Sequence, residues 1–409
     1  MPGPLAGIRI FDMTRILAGP TATQVLADLG ADVIKVERPG RGDDVRGWGP
    51  PYLKDPDGND CPIDSVYFNS ANRNKRSITL NLADPEGQAL ARRLIGACDV
   101  VFENYKVGDL KKYGLAYEQL KDANPGLVYC SLTGFGQDGP YAERAGFDLV
   151  VQAMGGMMSI TGPAGGGVGD GVKVGVGIAD IMTGMYCNIA ILAALRHRDA
   201  TGEGQHLDLA LLDCQVAWLV NEGMNFLHTG DRPKPWGTAH ATIVPYQSFP
   251  DANDEHFILA VGNDRQFQRF CAFAGAPELA EDPRFLTNPL RVRHRPECVA
   301  AVSELTRRHP RAHWLEGLPP LGVPCGPVNA IDQVFEEPQV QARGMRIEIA
   351  HPASGKREAY IASPIRMEKT PVEYRRPAPM LGEHTEEVLG EILGMGAEEI
   401  AVLRGKGAV

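Results

Sequence analysis

The stretch IRIFDMTRILAGPTATQVLADLGADVIKVE, residues 8–37, decides the fold. Its two ends, Ile8–Asp12 and Val33–Glu37, are short runs rich in branched apolar residues, which predict strands. Thr21–Leu29, between them, has the pattern of an amphipathic helix. A strand, a helix and a second strand in this order predict a parallel βαβ unit.

The same alternation continues over the next hundred residues. Further strands are predicted at Ser77–Leu80, Val100–Asn104 and Leu127–Leu132, and further helices at Glu86–Ile95 and Glu118–Ala123. This order implies an α/β fold with a parallel, doubly wound sheet.

The pattern changes after Leu195. Gly202–Leu212 predicts a polar turn followed by a strand or a helix start, and Cys214–His228 predicts a helix. Farther on, QSF (247–249) and FILAVG (257–262) predict a strand pair, with helices around Arg265–Ala274 and Glu297–Arg308.

The length of 409 residues favours two domains over one core. We predict a large domain over 1–224 and a small domain over 225–330. The last segment, 331–409, returns to strand patterns at Met345–Met367 and helix patterns at Leu381–Leu403. We expect it to pack back on the large domain.

Composition limits the classes of partner. The net charge of −10 argues against nucleic acid or an anionic membrane as the main partner. The eight cysteines are scattered without a CxxC motif, which is typical of reduced core residues. We see no signal peptide and no uninterrupted apolar run of membrane-spanning length, so we expect a cytoplasmic protein.

One carboxylate, Asp180, interrupts the glycine-spaced apolar run VKVGVGIADIMTGMYCNIAILAAL, residues 172–195. The preceding TGPAGGGVGDG (161–171) offers backbone N–H groups with little bulk, and Ile181–Leu195 predicts a buried helix. Asp180 could therefore be a nucleophile that attacks a carbonyl, with glycine amides stabilising an oxyanion. Taken by itself, however, an Asp here is more typical of a helix N-cap.

Two other motifs lack the sequence context that their usual binding sites require. GFGQDG (134–139) matches GxGxxG, but Pro140 and Tyr141 follow it where a nicotinamide-binding fingerprint needs a helix start. We interpret it as a glycine-rich turn at the carboxyl end of a strand, where α/β sheets bind ligands. His309 and His313 are four residues apart without HExxH, so no metal site is predicted.

Basic residues recur beside the predicted strands. Arg38 follows the second strand, NRNKRS (72–77) precedes the third, and Lys106, Lys111 and Lys112 follow the fourth. Any one of these groups is compatible with solvated loop charge. Their recurrence at one sheet edge of an acidic protein favours a nucleotide-like anion as ligand.

With these loops in view, the chain resembles the class III CoA-transferases, the family of formyl-CoA and carnitine CoA-transferases. The resemblance covers essentially the whole length. It is carried by LADLGADVIKVERPG (26–40), NRNKRSI (72–78), ENYKVG (103–108), LTGFGQDGPY (132–141), QAMGGMMSITG (152–162), IADIMTGMY (178–186), VGNDRQF (261–267) and MLGEHT (380–385).

Further blocks resemble members of this family that move CoA from succinyl-CoA to dicarboxylates such as glutarate. These blocks are TRILAGP (14–20), GDDVRGWGPP (42–51), RAGFD (144–148), WGTAHATIVPYQ (236–247) and LRVRHR (290–295). Related racemases carry a His-Asp proton-transfer pair, but Phe147 stands where that His is expected. The glycine-only lid of formyl-CoA transferases has no match between 240 and 265, which argues against oxalate as acceptor.

The resemblance implies an open Rossmann-like large domain, a small α+β domain and a homodimer of two interlocked ring-shaped chains. It implies a CoA thioester and a free carboxylic acid as substrates, with no permanently bound cofactor. Other acyl-CoA transfer of the formyl-CoA or carnitine type, acyl-CoA racemisation and non-catalytic acyl-CoA binding are the alternatives.

The resemblance also implies roles for individual residues. Asp180 is the implied nucleophile, which forms a covalent aspartyl intermediate. The residues implied in CoA binding are Ile16, Leu17, Ala18, Arg38, Asn72, Arg73, Asn74, Lys75, Asn104, Tyr105, Lys106, Lys112, Thr133, Gly134, Phe135 and Gly136. The candidates for the second carboxylate of the acceptor are Arg73, Arg291, Arg293 and, from the partner chain, Trp236 and His240.

Overall fold

The computed structural model describes residues 3–409, which contain thirteen strands. The strands are β1 (Arg9–Asp12), β2 (Asp32–Glu37), β3 (Tyr52–Lys54), β4 (Asp60–Ser65), β5 (Lys75–Thr79), β6 (Val100–Glu103), β7 (Val128–Thr133), β8 (Gln205–Ala210), β9 (Tyr246–Pro250), β10 (His256–Ala260), β11 (Cys325–Pro327), β12 (Arg346–His351) and β13 (Lys356–Ile361).

The same residues form seventeen α-helices. They are α1 (Ala18–Asp28), α2 (Val66–Ser70), α3 (Pro85–Ile95), α4 (Tyr117–Leu120), α5 (Asp148–Met154), α6 (Met157–Ile160), α7 (Ile178–Thr201), α8 (Leu211–Ala217), α9 (Val220–Thr229), α10 (Asp264–Phe273), α11 (Asn288–Arg293), α12 (Arg295–Thr306), α13 (Arg311–Gly317), α14 (Ile331–Glu336), α15 (Pro338–Ala342), α16 (Thr385–Leu393) and α17 (Ala397–Gly405).

Six strands form a central, wholly parallel sheet in the order β5-β2-β1-β6-β7-β8. Numbered along the chain, these strands run 3-2-1-4-5-6, the order of doubly wound sheets that bind ligands outside their carboxyl ends. The predicted parallel sheet is confirmed. Its sixth strand, β8, is the part of Gly202–Leu212 that the sequence left open between strand and helix.

Alternate residues of each strand supply two cores, one on each face of the sheet. Ile10, Val33 and Val100 face one side with α1 and α7, whereas Phe11 and Ile34 face the other side with α3, α16 and α17. Both faces are therefore buried, which explains the nearly continuous apolar runs in these strands. The C-terminal helices α16 and α17 pack on the same sheet as the first strands.

Helix α7 crosses α1 at close range. A Cβ atom at Gly184 would lie 2.5 Å from the carbonyl oxygen of Ala18, so only glycine permits this approach. By length and composition alone α7 could span a membrane, but half of its apolar window is buried inside the fold. It is the core helix predicted from Ile181–Leu195, extended at both ends.

The chain forms two compact units. The first contains the parallel sheet and comprises residues 3–157, 173–224 and 339–409; the second comprises 158–172 and 225–338. The predicted small domain, 225–330, lies inside the second unit, which also takes in 158–172 and extends to Pro338. Its core joins the antiparallel strands β9–β11 to helices α10, α12 and α13.

The predicted helix Cys214–His228 is in fact two helices. α8 ends at Ala217 and α9 begins at Val220, whose φ of 39° is left-handed. A β-branched residue rarely adopts this conformation, and it interrupts the helical hydrogen bonding. The sequence contains no Gly or Pro at this point that could have signalled the break.

Candidate active site

Asp180 lies in the first turn of α7, close to a second carboxylate. The N-cap of α7 is Gly177, and Asp148 begins α5. Asp148 accepts hydrogen bonds from the Ala179 amide (2.8 Å) and the Gln152 side chain (2.7 Å). Asp148 thus fixes the first turn of α7 while presenting its negative charge to Asp180.

Burial and the charge of Asp148 raise the pKa of Asp180 from 3.8 to about 7. A helix N-terminus favours the ionised form, but desolvation and the like charge outweigh that effect here. Within residues 3–409 no group donates a hydrogen bond to this carboxylate. The partly buried Asp180 is therefore open to a ligand, and an N-cap role is excluded because Gly177 holds that position.

A cavity of about 280 Å³ opens beside Asp180. It lies at the carboxyl ends of β1, β6 and β7, where a doubly wound sheet binds its ligand. Its lining contains Asp180 and these residues expected from the sequence: Ile16, Leu17, Ala18, Asn104, Tyr105, Lys106, Thr133 and Gly134.

Two glycines, Gly134 and Gly146, lie where two segments of the cavity wall cross. A Cβ atom on Gly134 would lie 2.3 Å from the Cα atom of Gly146, so the two backbones cross in contact. The expected residues Phe135 and Gly136 lie beyond the lining. Phe135 packs edge-on against Tyr141, with ring centroids 5.7 Å apart, and the Gly136 amide donates to the Thr133 hydroxyl at 2.9 Å.

A second cavity of about 270 Å³ adjoins the first, because Arg15 and Tyr105 line both. Arg38 lines this second cavity, together with Leu80–Ala83 from the carboxyl end of β5. Lys112 is exposed and pairs with Asp109 at 3.2 Å, outside the lining. The two cavities, which share Arg15 and Tyr105 as lining residues, follow one another along the ligand-binding edge of the sheet.

The NRNK loop does not lie on this path. Strand β5 begins at Lys75, so residues 72–75 are at the amino end of the strand, opposite the ligand edge. The prediction that this loop shares an edge with Arg38 is therefore wrong. Leu80–Ala83, which follow β5, line the second cavity beside Arg38, where the sequence interpretation had expected the NRNK loop.

The side chains of this loop are occupied inside the fold. Arg73 pairs with Asp28 at 2.6 Å and donates to the Ile361 carbonyl at 2.8 Å. Asn74 also donates to Asp28, at 2.7 Å. Lys75 is fully buried and donates to the Pro20 carbonyl and to the Asn72 side chain. None of the four is available to bind CoA or an acyl group, which corrects their predicted roles.

Arg291 is a second correction. It is fully buried in the second unit, where it donates to the carbonyls of Val244 (2.7 Å) and Phe285 (2.9 Å) and to Asp264 (2.8 Å). It fixes the core of that unit and, being fully buried there, is not exposed to a substrate carboxylate. The sequence block LRVRHR gave no sign that its first arginine points inward.

The other three substrate candidates also belong to the second unit. Arg293 is exposed at the end of α11. Trp236 packs under Arg295, 4.5 Å from the ring centroid, and His240 accepts a hydrogen bond from the Thr242 amide. Their role in binding the acceptor stays a prediction.

The cavity also contains charged residues that sequence reasoning missed. Arg144 lines the cavity, with its guanidinium 3.8 Å from the centre of the Tyr141 ring. Within residues 3–409 it forms no ion pair with a carboxylate. Arg15, which lies in the Thr14–Ala18 stretch expected beside CoA, lines the cavity too and is paired with Asp44 at 3.2 Å. Arg144 and Asp148 both lie in the block RAGFD, which was noticed as a resemblance without roles for its charges.

Residues 5–385 match the sequence model of CoA-transferase family III. The chain is 49% identical over 389 residues to the succinate--glutarate CoA-transferase of Agrobacterium fabrum, covering 95% of this chain and 96% of that one. It is 43% identical over 407 residues to the succinyl-CoA:glutarate CoA-transferase of Homo sapiens, covering 99% and 90%.

A solved structure supports the same relationship. The crystal structure of a CAIB/BAIF family protein from Brucella suis superposes with a TM-score of 0.83 at 46% identity, covering 96% of this chain and 100% of that one.

Proposed function

This chain belongs to CoA-transferase family III and is an enzyme of that class; from that membership and the cavity at Asp180, we propose that it transfers CoA from succinyl-CoA to a short dicarboxylic acid, with glutarate as first candidate. The observation that carries the proposal is one open carboxylate, Asp180, in a cavity that also contains the unpaired Arg144. The names of the relatives support glutarate as acceptor.

Asp180 acts as a covalent nucleophile. Its carboxylate attacks the thioester carbonyl of succinyl-CoA, the C–S bond breaks, and an aspartyl-succinyl anhydride and CoA thiolate form. The thiolate attacks the aspartyl carbonyl of the anhydride and releases succinate, leaving an aspartyl-CoA thioester. Glutarate then attacks this thioester to form a second anhydride, and the thiolate attacks its glutaryl carbonyl. Glutaryl-CoA leaves and the Asp180 carboxylate is restored.

The environment of Asp180 supports this role. A carboxylate with a raised pKa, which lacks hydrogen-bond donors, is a better nucleophile than a solvated one once it is ionised. With a pKa of about 7, about half of the Asp180 side chains are still ionised at neutral pH, so the nucleophilic form remains available. Phe147 lines the same cavity and carries no proton that it could exchange, so the racemase alternative lacks its base.

CoA lies along the two adjoining cavities of the Rossmann-like large domain. Arg38 and Arg15 bind its phosphates, since guanidinium groups match phosphate oxygens in pairs. The pantetheine arm then passes Tyr105 and the glycine crossing to reach Asp180. The contiguity of the two cavities through Arg15 and Tyr105 supports this path.

Arg144 binds the second carboxylate of the acid that reacts at Asp180. It replaces Arg73 and Arg291 in this role, because those two are committed to ion pairs elsewhere. The ring of Tyr141 holds its guanidinium in place. A monocarboxylic acid would leave this cation unpaired.

A homodimer, formed by interlocked chains, accounts for the apolar surface. On α7 the side chains of Tyr186, Ile189 and Leu192 are 36%, 63% and 38% exposed, and no described side chain of α9 is buried. A monomer rarely leaves such a surface to water. The mass in solution tests this, and a monomer would contradict it. We expect the enzyme to act in the cytoplasm.

The deciding experiment measures CoA transfer by mass spectrometry, with succinyl-CoA as donor and a panel of free acids. The panel contains glutarate, oxalate, carnitine and butyrate. Formation of glutaryl-CoA as the dominant product supports the proposal. Preference for oxalate or carnitine would favour the other transferase types, and incorporation of deuterium at the α-carbon of a 2-methylacyl-CoA would favour a racemase.

A further inference from the structure

Ile16, in the wall of the Asp180 cavity, has a left-handed backbone. Its φ is 71°, in a region that a β-branched residue avoids because its Cβ crowds the following carbonyl. A residue stays there only where its surroundings overdetermine the conformation, and such residues concentrate at functional sites. The contacts of the loop Thr14–Leu17 show what holds it.

Five backbone polar groups of Thr14–Ile16 are hydrogen-bonded to side chains. The amide of Ile16 donates to Asp43 at 3.1 Å. The side chain of Asn104 accepts from the Arg15 amide (2.9 Å) and donates to the Arg15 carbonyl (2.8 Å). The Thr14 carbonyl accepts from Lys35 at 3.0 Å, and its amide donates to Asp12 at 2.9 Å.

Two of these partners form an ion pair that is sealed from solvent. Lys35 donates to Asp43 at 2.9 Å, and both side chains are 0% exposed. Burial acts to lower the pKa of Lys35, but the carboxylates of Asp43, Asp12 and Glu37 together raise it, so Lys35 stays charged. A buried ion pair is a costly way to stabilise a fold, since apolar residues of equal volume often do as well.

The loop that the pair holds lies against the reacting group. Leu17 follows Ile16 along the chain. A Cβ atom added at Gly177 would lie 3.0 Å from Cδ2 of Leu17 and 3.6 Å from Oδ2 of Asp180, so the Leu17 side chain and the carboxylate lie on either side of this glycine. Leu17 and Ala18 line the cavity themselves. A change of φ at Ile16 would therefore move the wall that faces the Asp180 carboxylate.

We propose that the Lys35–Asp43 ion pair is a positioning device that holds Ile16 left-handed and so fixes Leu17 and Ala18 against Asp180. Lys35 and Asp43 are positioning residues: neither touches Asp180, and although both border the second cavity, their side chains are 0% exposed. The inference rests on the proposed transferase reaction. It predicts that loss of the pair lowers kcat, since the wall is misplaced, while affecting acyl-CoA binding much less.

The test removes the pair without leaving a lone buried charge. The variant Lys35→Met/Asp43→Leu should fold, because it replaces two charges by apolar groups of similar size. We expect its kcat to fall by about a hundredfold, as misplacement of a reacting geometry does, with the KM for succinyl-CoA changed less than about threefold. In the matched control Arg73→Met/Asp28→Leu, a buried pair away from the cavity is removed in the same way, and kcat should stay within about threefold of the unsubstituted enzyme.

A third substitution distinguishes misplacement of the Ile16 loop from a general loss of structure. Glycine adopts a left-handed φ without strain, so adding Ile16→Gly to the double variant should restore kcat by about tenfold. Hydrogen exchange gives a readout that needs no activity: the Ile16 amide should exchange faster in the double variant. A folded double variant with normal kcat, a control that loses as much, or a glycine that restores nothing would each overturn the inference. An unsubstituted enzyme that fails to use glutarate would contradict only the proposed function.

Discussion

Asp148 and Asp180 flank Gly177 at the start of α7. A Cβ atom added at Gly177 would lie 3.7 Å from Cγ of Asp148 and 3.6 Å from Oδ2 of Asp180. Burial, together with repulsion from the nearby charge of Asp148, raises the pKa of Asp180, which accepts no hydrogen bond from the described residues. A side chain at position 177 would contact Leu17. Glycine therefore leaves space between Leu17 and the two carboxylates.

Replacement of the nucleophile should abolish transfer but not folding. We expect Asp180→Asn and Asp180→Ala to lower kcat by about four powers of ten or more, as loss of a covalent nucleophile does. Hydroxylamine added during turnover should modify Asp180 alone, as seen by peptide mass. Near-normal turnover of the alanine variant would show that the covalent mechanism is wrong.

The same substitution should stabilise the fold at high pH. The folded pKa of Asp180, about 7, lies above its ordinary value of 3.8, so the ionised side chain costs stability above pH 7 and that cost disappears as the pH falls. Asp180→Asn should therefore raise Tm at pH 8, and the gain should shrink towards pH 4. An equal gain at both pH values would argue against this titration.

Activity should depend on the ionisation of Asp180. The plot of kcat/KM against pH should fall on its acid side with an apparent pKa near 7, because only the carboxylate attacks the thioester. Asp148→Asn keeps an oxygen for the Ala179 amide but removes the charge, so it should shift this limb to lower pH by about half a unit or more. An unchanged limb would mean that another group controls the rate.

Arg38 and Arg73 should behave differently although both were expected at the ligand edge. Arg38→Ala should raise the KM for succinyl-CoA by about tenfold or more with less effect on the acceptor, and Arg38→Lys should recover little, because lysine lacks the paired donors. Arg73→Ala removes the partner of the buried Asp28, so it should lower Tm with little change in KM. Equal KM effects of both substitutions would contradict the placement of these residues.

Arg144 should decide between dicarboxylic and monocarboxylic acceptors. The unsubstituted enzyme should prefer glutarate to butyrate by about a hundredfold or more in kcat/KM, because butyrate leaves the cation unpaired. Arg144→Gln should lower the rate with glutarate and reduce that preference. Arg293→Ala provides the comparison with the remaining sequence candidate: if it removes the preference and Arg144→Gln does not, the second unit supplies the carboxylate partner.

Much of the fold followed from local pattern. The five predicted strands of the sheet were found within about two residues of their expected bounds, a typical accuracy for strongly patterned elements. The nearly continuous apolar runs in β1, β2 and β6 indicate that both faces of the sheet are buried, and these runs can be recognised from the sequence alone. The break at Val220 was not readable, because its left-handed backbone, with a φ of 39°, is not signalled by a glycine or proline at that point.

The sequence by itself determined the order of strands and helices, the glycine-flanked Asp180 at a helix start, and the family. Only the tertiary structure decided which charges reach that carboxylate. Arg73 and Arg291 are local signals of a cationic site, yet their partners, Asp28 and Asp264, are 45 and 27 residues away along the chain. Arg144 and Asp148 line the same cavity as Asp180 because the folded chain brings them together there. Burial, like-charge repulsion and pairing depend on distances in space, and local sequence does not fix those distances.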